Sequence, residues 1–145
     1  MKKLVLLLAI VFATQLAFAS DATAASSASN SFNRDFHKAT NVQWQYTESY
    51  ARASFLLDNR LMSAYYTSDG ELMAVTRNIV CEQLPLKLLM ELKQNYSSYW
   101  ISNLFEVVNG SGDQYYITLE NGDETLVLKA KAHKSWKLYQ KTVKI

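Results

Sequence analysis

The side chains with chemistry to offer are two histidines, one cysteine, thirteen acids and nine tyrosines. A metal centre needs His, Cys, Asp or Glu converging at short spacing. His37 and His133 stand in opposite halves of the chain, and neither has an acid or Cys at helical or C-x-x-C spacing. Nucleophilic catalysis needs a Ser or Cys beside a base, and no G-x-S-x-G elbow or similar turn is present. Cys81 lies between Val80 and Glu82 ahead of a Leu-rich segment, the setting of a small buried hydrophobe rather than an activated thiolate. Glycosidase chemistry needs two converging carboxylates. The acids at Asp58, Asp69, Asp113, Asp123 and Glu124 fall near turns, where turn formation accounts for them. Asp113 with Asp123-Glu124 offers oxygens for calcium but no D-x-D-x-D-G loop. The four glycines form no phosphate cradle. Asn95-Tyr96-Ser97 and Asn109-Gly110-Ser111 fit the glycosylation sequon, read as coincidence in a chain of bacterial style. The expectation is a protein that is not an enzyme and holds no cofactor or metal.

That leaves recognition, and the ends of the chain say where it would occur. Lys2 and Lys3 precede an apolar run from Leu4 to Ala13, and Ala17-Phe18-Ala19 has the small-x-small pattern of a signal peptidase site. Residues 1–19 are therefore expected to be a signal peptide cleaved between Ala19 and Ser20, placing the protein in the periplasm or outside the cell. The run is about half the roughly 20 apolar residues of a membrane span, so no membrane insertion is expected after cleavage. With Lys2 and Lys3 removed, 13 basic residues face 13 acidic ones, and that neutrality gives no support to nucleic-acid binding. The lysines are uneven, however. From Val127 onward, positions 129, 131, 134, 137, 141 and 144 are Lys and no residue is acidic. Such a run suits an acidic partner; it better suits a sheet edge kept soluble and unpaired by lysines, since alternating lysines are what an exposed strand face needs. A lone Cys excludes a disulfide framework, so the core must hold the fold.

The elements that position these groups follow from period. Residues 20–31 are small and polar and read as a flexible leader. A short helix follows, capped by Asn30 or Ser31, with Phe32, Phe36 and Ala39 on one face. From Val42 the period becomes two. Strands are expected at Val42 to Gln45, Ala51 to Leu57, Met62 to Thr67 and Leu72 to Ile79, with turns at Asp58-Asn59 and Asp69-Gly70. Leu84-Pro85 opens a second helix, where Leu88, Leu89, Leu92 and Tyr96 recur at helical spacing. Four more strands follow: Ile101 to Val108, Gln114 to Leu119, Glu124 to Ala132 and Ser135 to Val143. Turns are expected at Asn109-Gly110, Asn121-Gly122 and His133-Lys134. The predicted fold is α+β: one domain over 32–145, built from two helix-plus-four-strand repeats at about 32–80 and 84–145.

Several of these segments resemble a known family. Ala39-Thr40-Asn41-Val42-Gln43-Trp44, Tyr50-Ala51-Arg52-Ala53-Ser54-Phe55, Ala64-Tyr65-Tyr66-Thr67-Ser68-Asp69-Gly70-Glu71-Leu72 and Leu84-Pro85 are similar in order and spacing to the PepSY-like proteins. These are small exported proteins, common in Bacteroidetes, with a fold like that of the β-lactamase inhibitor protein (BLIP). The resemblance spans Phe32 to Ile145 and is strongest in the first repeat. It implies an eight-stranded antiparallel sheet with two helices on one face and the other face open. In the β-lactamase inhibitor protein that open face grips the enzyme. His133-Lys134-Ser135 departs from the Asp-Gly usual at that place in the second repeat.

Alternation then assigns faces. With Val42, Trp44, Ala53, Phe55, Ala64 and Tyr66 turned to the helices, Gln43, Gln45, Arg52, Ser54, Ser63 and Tyr65 face outward. The same phase turns Leu126, Leu128 and Ala130 inward and Lys129 and Lys131 outward. Tyr115 and Tyr116 point opposite ways, so one of them joins the open face. The expected binding surface is Gln43, Gln45, Arg52, Tyr65, Tyr115, Lys129 and Lys131; its test is whether Arg52, Tyr65 and Lys129 form one contiguous patch, and scattered positions count against it. Its partner would be an envelope protein or peptide. Two other readings stand beside this one. A structural or envelope-stress protein would show only short polar residues there, and an enzyme would need a reactive Cys81 or a pocket of perturbed acids.

Overall fold

The computed structural model describes residue 23 and residues 25–145; the expected signal sequence and its cleavage site lie outside the described residues. Helix α1 covers 25–35. Strands β1 (Thr40–Tyr46), β2 (Ala51–Leu57), β3 (Arg60–Tyr66) and β4 (Leu72–Asn78) follow. A 3₁₀ turn at Cys81–Gln83 leads into helix α2 (Leu86–Asn95), and β5 (Trp100–Asn109), β6 (Gly112–Glu120), β7 (Glu124–Lys131) and β8 (Lys137–Val143) complete the chain. All eight strands form one antiparallel sheet in sequence order. The fold class is thus α+β, with one eight-stranded sheet and two helices.

The register puts both helices on one side. Phe55, Met62, Arg77, Glu106, Tyr115 and Ala130 are successive cross-strand partners from β2 to β7, so they share a face. At one end of this row Phe55 packs with Ala28 and Phe32 of α1, together with Ala53, Ala64 and Tyr66. At the other end Tyr115 and Ala130 pack with Leu88 and Leu92 of α2, together with Ile117, Leu119 and Leu128. Each fully buried Phe or Leu contributes roughly 1.5–3 kcal/mol. Within the first core, Phe32 meets Phe55 edge-on at 4.9 Å and Trp44 at 5.5 Å. Tight turns join the strands. Asp58 and Asn59 have φ of 49° and 61°, the left-handed pair that a two-residue hairpin needs.

The leader expectation is corrected. The helix already runs through 25–31, and Ala28 is completely buried. The run is poor in bulky apolar residues, which hid it, yet alanine is the best helix former and its size permits a close approach to the sheet. Gly70 is where that approach occurs: a Cβ there would lie 2.7 Å from the carbonyl oxygen of Ser27. The caps proposed at Asn30 or Ser31 are therefore mid-helix. β1 also departs from strict alternation. Asn41 has φ of 53°, and the register shifts between Thr40 and Gln43, leaving Val42 exposed at the sheet edge.

Helix α2 is fastened by a side chain beyond β7. The Trp136 indole Nε1–H donates to the Leu88 carbonyl at 3.0 Å, and its backbone N–H donates to Glu91 Oε2 at 3.0 Å. The His133-Lys134 turn lies just before it, closed by the Lys134 N–H to the Lys131 carbonyl. Two stability tests follow. Gly70→Ala combines a φ of +84° with the Ser27 contact and should lower the unfolding free energy by about 1–3 kcal/mol. Trp136→Phe removes the indole donor to the Leu88 carbonyl and should cost about 0.5–1.5 kcal/mol. Urea unfolding followed by circular dichroism measures both, and a wild-type midpoint in either variant contradicts the packing described.

Candidate binding surface on the open sheet face

The side of the sheet away from the helices is read directly from the register. Gln45, Arg52, Tyr65, Ala74 and Asn109 form one row, and Gln43, Ser54, Ser63, Thr76, Val107, Gln114 and Lys131 form the next. A third row runs Asn78, Phe105, Tyr116, Lys129 and Lys137. Six of the seven residues expected on this face lie there: Gln43, Gln45, Arg52, Tyr65, Lys129 and Lys131.

Tyr115 does not, and that expectation is corrected. It is buried on the helix face, where its hydroxyl donates to Glu106 Oε1 at 3.1 Å. The residue on the open face is Tyr116. The signal was present in the sequence, because Tyr115 shares parity with Ile117 and Leu119, both buried among apolar neighbours.

The single patch is corrected as well. Arg52 and Tyr65 do meet, the guanidinium carbon lying 5.8 Å from the ring centroid, and Tyr50 packs edge-on to Tyr65 at 5.5 Å. Arg52 also donates through Nε and Nη2 to Ser63 Oγ at 3.3 and 3.1 Å, which is why outward-facing Ser63 is buried. Lys129 stands on β7, five strands from β2 and so roughly 24 Å across the sheet. It belongs to a second cluster. Phe105 and Tyr116 stack at 5.2 Å, Tyr139 meets Tyr116 edge-on at 5.8 Å, and Lys129 Nζ lies 5.3 Å from the Tyr116 ring and 5.9 Å from Tyr139. Contact with the Tyr116 hydroxyl, before any other cause, raises the Lys129 ammonium above its ordinary pKa. Phe105, Tyr116 and Tyr139 were not among the expected site residues. Tyr139 reaches this face through an irregularity, since the β7–β8 register shifts between Val127 and Leu128.

The helix face has polar features of its own. Between the two apolar cores, Arg77 Nε donates to Glu106 Oε2 at 2.5 Å, and Glu106 also accepts from Tyr115. These groups neutralise one another at the seam. A cleft of about 570 Å³ opens beside them, lined by Asp58, Arg60, Met62, Arg77, Glu106 and Asp113 among others. Cys81 is half-buried against the second core, and burial first, then the Glu82 charge, pushes its thiol up. It is therefore protonated at neutral pH and a poor nucleophile. His37 and His133 are both exposed, and no group of metal-ligating side chains occurs among the described residues.

With this geometry in hand, the comparison with solved structures is decisive for the fold. A BLIP-like protein from Bacteroides fragilis superposes with a TM-score of 0.68 at 14% identity, covering 81% of this chain and 84% of its own. The fold is BLIP-like. A DUF2874 family protein from Bacteroides ovatus matches with a TM-score of 0.70 at 15% identity, over 81% and 85% of the two chains. A candidate periplasmic protein from Bacteroides eggerthii matches with a TM-score of 0.70 at 11% identity, over 81% and 86%. No known family's sequence profile and no curated protein matches this chain. Among the described residues no helix is long and apolar enough to cross a membrane.

The seam carries a pH signature. Burial, followed by the Glu106 charge and hydrogen bond, pushes Tyr115 from 10.0 up to about 12. Burial and Asp35 push Tyr66 up in the same direction. A pKa higher in the folded state gives stability that is complete below the unfolded value and lost as pH rises through the folded one. Unfolding free energy should therefore fall from pH about 10 towards about 12, and Tyr115→Phe should flatten part of that fall. Urea titrations at stepped pH measure it. An identical slope in the variant would show that Tyr115 is not held by Glu106.

Proposed function

We propose that this chain is an exported, non-catalytic binding module that contacts a protein or peptide through the open face of its sheet. One observation carries the reading: Phe105, Tyr116 and Tyr139 gather on the solvent side with Lys129 set over two of their rings. Aromatic side chains that present large area at small entropic cost are the usual anchors of recognition. The BLIP-like fold supports the reading because it leaves one sheet face uncovered, although fold alone assigns no partner. The PepSY-like resemblance and the n-region, apolar run and small-x-small site of residues 1–19 support export.

A second reading is favoured by the other end of the same face. There Gln43, Ser54, Ser63 and Thr76 are short or neutral, and Arg52 is occupied by Ser63 and Tyr65. A structural or envelope-stress protein with no specific ligand would look like this throughout. Affinity capture from envelope extract separates the two. The native protein is compared with a Tyr116→Ala/Tyr139→Ala variant and with Lys93→Ala on α2, all verified as folded. A defined protein retained by native and Lys93→Ala but lost from the double variant is the expected result. The same proteins retained by all three would remove the open-face reading and leave the structural one.

A further inference from the structure

Charge divides unevenly between the two faces. Of the strand residues on the helix face, Arg60, Arg77 and Lys141 are balanced by Glu106, Asp113 and Glu124. Arg77 pairs with Glu106 and Lys141 with Glu124. On the open face Arg52, Lys129, Lys131 and Lys137 stand against Glu120 alone, and Lys144 already pairs with Glu120 at 2.9 Å. Among the described residues, no carboxylate forms an ion pair with Lys129, Lys131 or Lys137.

Edge protection does not account for Lys129. The edge strand beside it is β8, which carries Lys137 and can use it as edge protection, whereas Lys129 belongs to β7 and is paired on both sides, with Tyr116 of β6 and Lys137 of β8. An interior strand has no free edge to guard. The rings around it are also more than strand formation requires. Tyr139, beside Lys129, is 64% exposed, while Trp100 lies farther along the same face under Lys144.

We propose that the partner is an acidic extended protein segment lying over β5–β8, with carboxylates on Lys129, Lys131 and Lys137 and an apolar or aromatic side chain against Tyr116 and Tyr139. This rests on the open-face reading and narrows it to one half of the sheet and one ligand chemistry. Lys129 and Lys131 are two residues apart on one strand, about 6.6–6.8 Å. The same repeat separates alternate side chains of any extended chain, so acids at alternate positions match the two ammonium groups. Three cations without carboxylate partners beside the Phe105, Tyr116 and Tyr139 rings fit a ligand that is part acidic and part apolar, which a sulfated polysaccharide is not.

The test uses the exported full-length protein and a short fluorescein-labelled synthetic peptide of alternating glutamates interspersed with tyrosine and leucine. A counterpart with every glutamate replaced by glutamine is the control, and heparin is the competing polyanion. Fluorescence anisotropy should show the acidic peptide bound roughly tenfold more tightly than its amide counterpart, and weakened by added salt. Lys129→Gln/Lys131→Gln should remove that advantage while Lys93→Gln leaves it unchanged. Amide shift mapping should place the perturbed residues around Phe105, Tyr116, Lys129 and Tyr139. Equal binding of both peptides on this face overturns the acidic specificity and leaves the open-face reading intact. Shifts confined to the helix side overturn both. Heparin outcompeting the peptide at the same residues replaces a protein partner with a polysaccharide, and binding of neither peptide removes the inference while the capture experiment still decides the face.

Discussion

Everything in this molecule depends on one alternation phase held in common by the strands of a continuous antiparallel sheet. A strand's side chains change face every residue, so a slip of one position would exchange its buried and exposed sets. The row from Phe55 through Met62, Arg77, Glu106 and Tyr115 to Ala130 shows the phase maintained across six strands. It is maintained because both ends of the row are covered. Phe32 of α1 closes on Phe55, and α2 closes on the core that contains Tyr115 and Ala130. Between the two cores, at Arg77 and Glu106, the sheet substitutes an ion pair for apolar cover. Removing one partner there would strand a charge with little solvent, a costlier change than replacing both.

The two halves solve the same packing problem with different residues. In the first, a small helix residue permits backbone contact, and Gly70 receives Ser27. In the second, the helix residues are leucines, and Trp136 joins their core and bonds to the Leu88 carbonyl. Ala28 and Phe32 on α1 and Leu88 and Leu92 on α2 are pairs four residues apart that are buried alike. Solved structures at 11–15% identity retain the fold on the same terms.

Much of this was legible in the sequence because period, turns and proline act locally. The α+β class and every strand were visible in alternation bounded by Asp-Asn, Asp-Gly and Asn-Gly, and α2 in the Leu stripe after Pro85. The start of α1 was not, because a run of Ala and Ser carries no periodic apolar signal, and Gly70, its partner, is more than forty residues away. Tyr115 was misplaced although parity with Ile117 and Leu119 was available. A tyrosine pair gives no phase by itself, and the decisive hydrogen bond comes from Glu106 on another strand. Tyr139 was hidden by a register shift, which no two-residue rule anticipates. The single patch failed for a simpler reason: alternation gives the face of a residue but not its distance from others across the sheet.

The open face contains its own control for what a solvent-facing strand requires. Over β1–β4 the row Gln43, Ser54, Ser63, Thr76 is small or neutral, and the one cation beside it, Arg52, is engaged by Ser63 and Tyr65. Solubility and pairing are met by such residues. Over β5–β8 the same fold carries Trp100, Phe105, Tyr116 and Tyr139 with Lys129, Lys131 and Lys137 among them. Strand propensity favours aromatic residues, but it favours them equally on both halves. Propensity also gives no reason for cations to be left unpaired on one face while the other face is balanced. The acidic, partly apolar segment proposed above would account for both parts of this asymmetry.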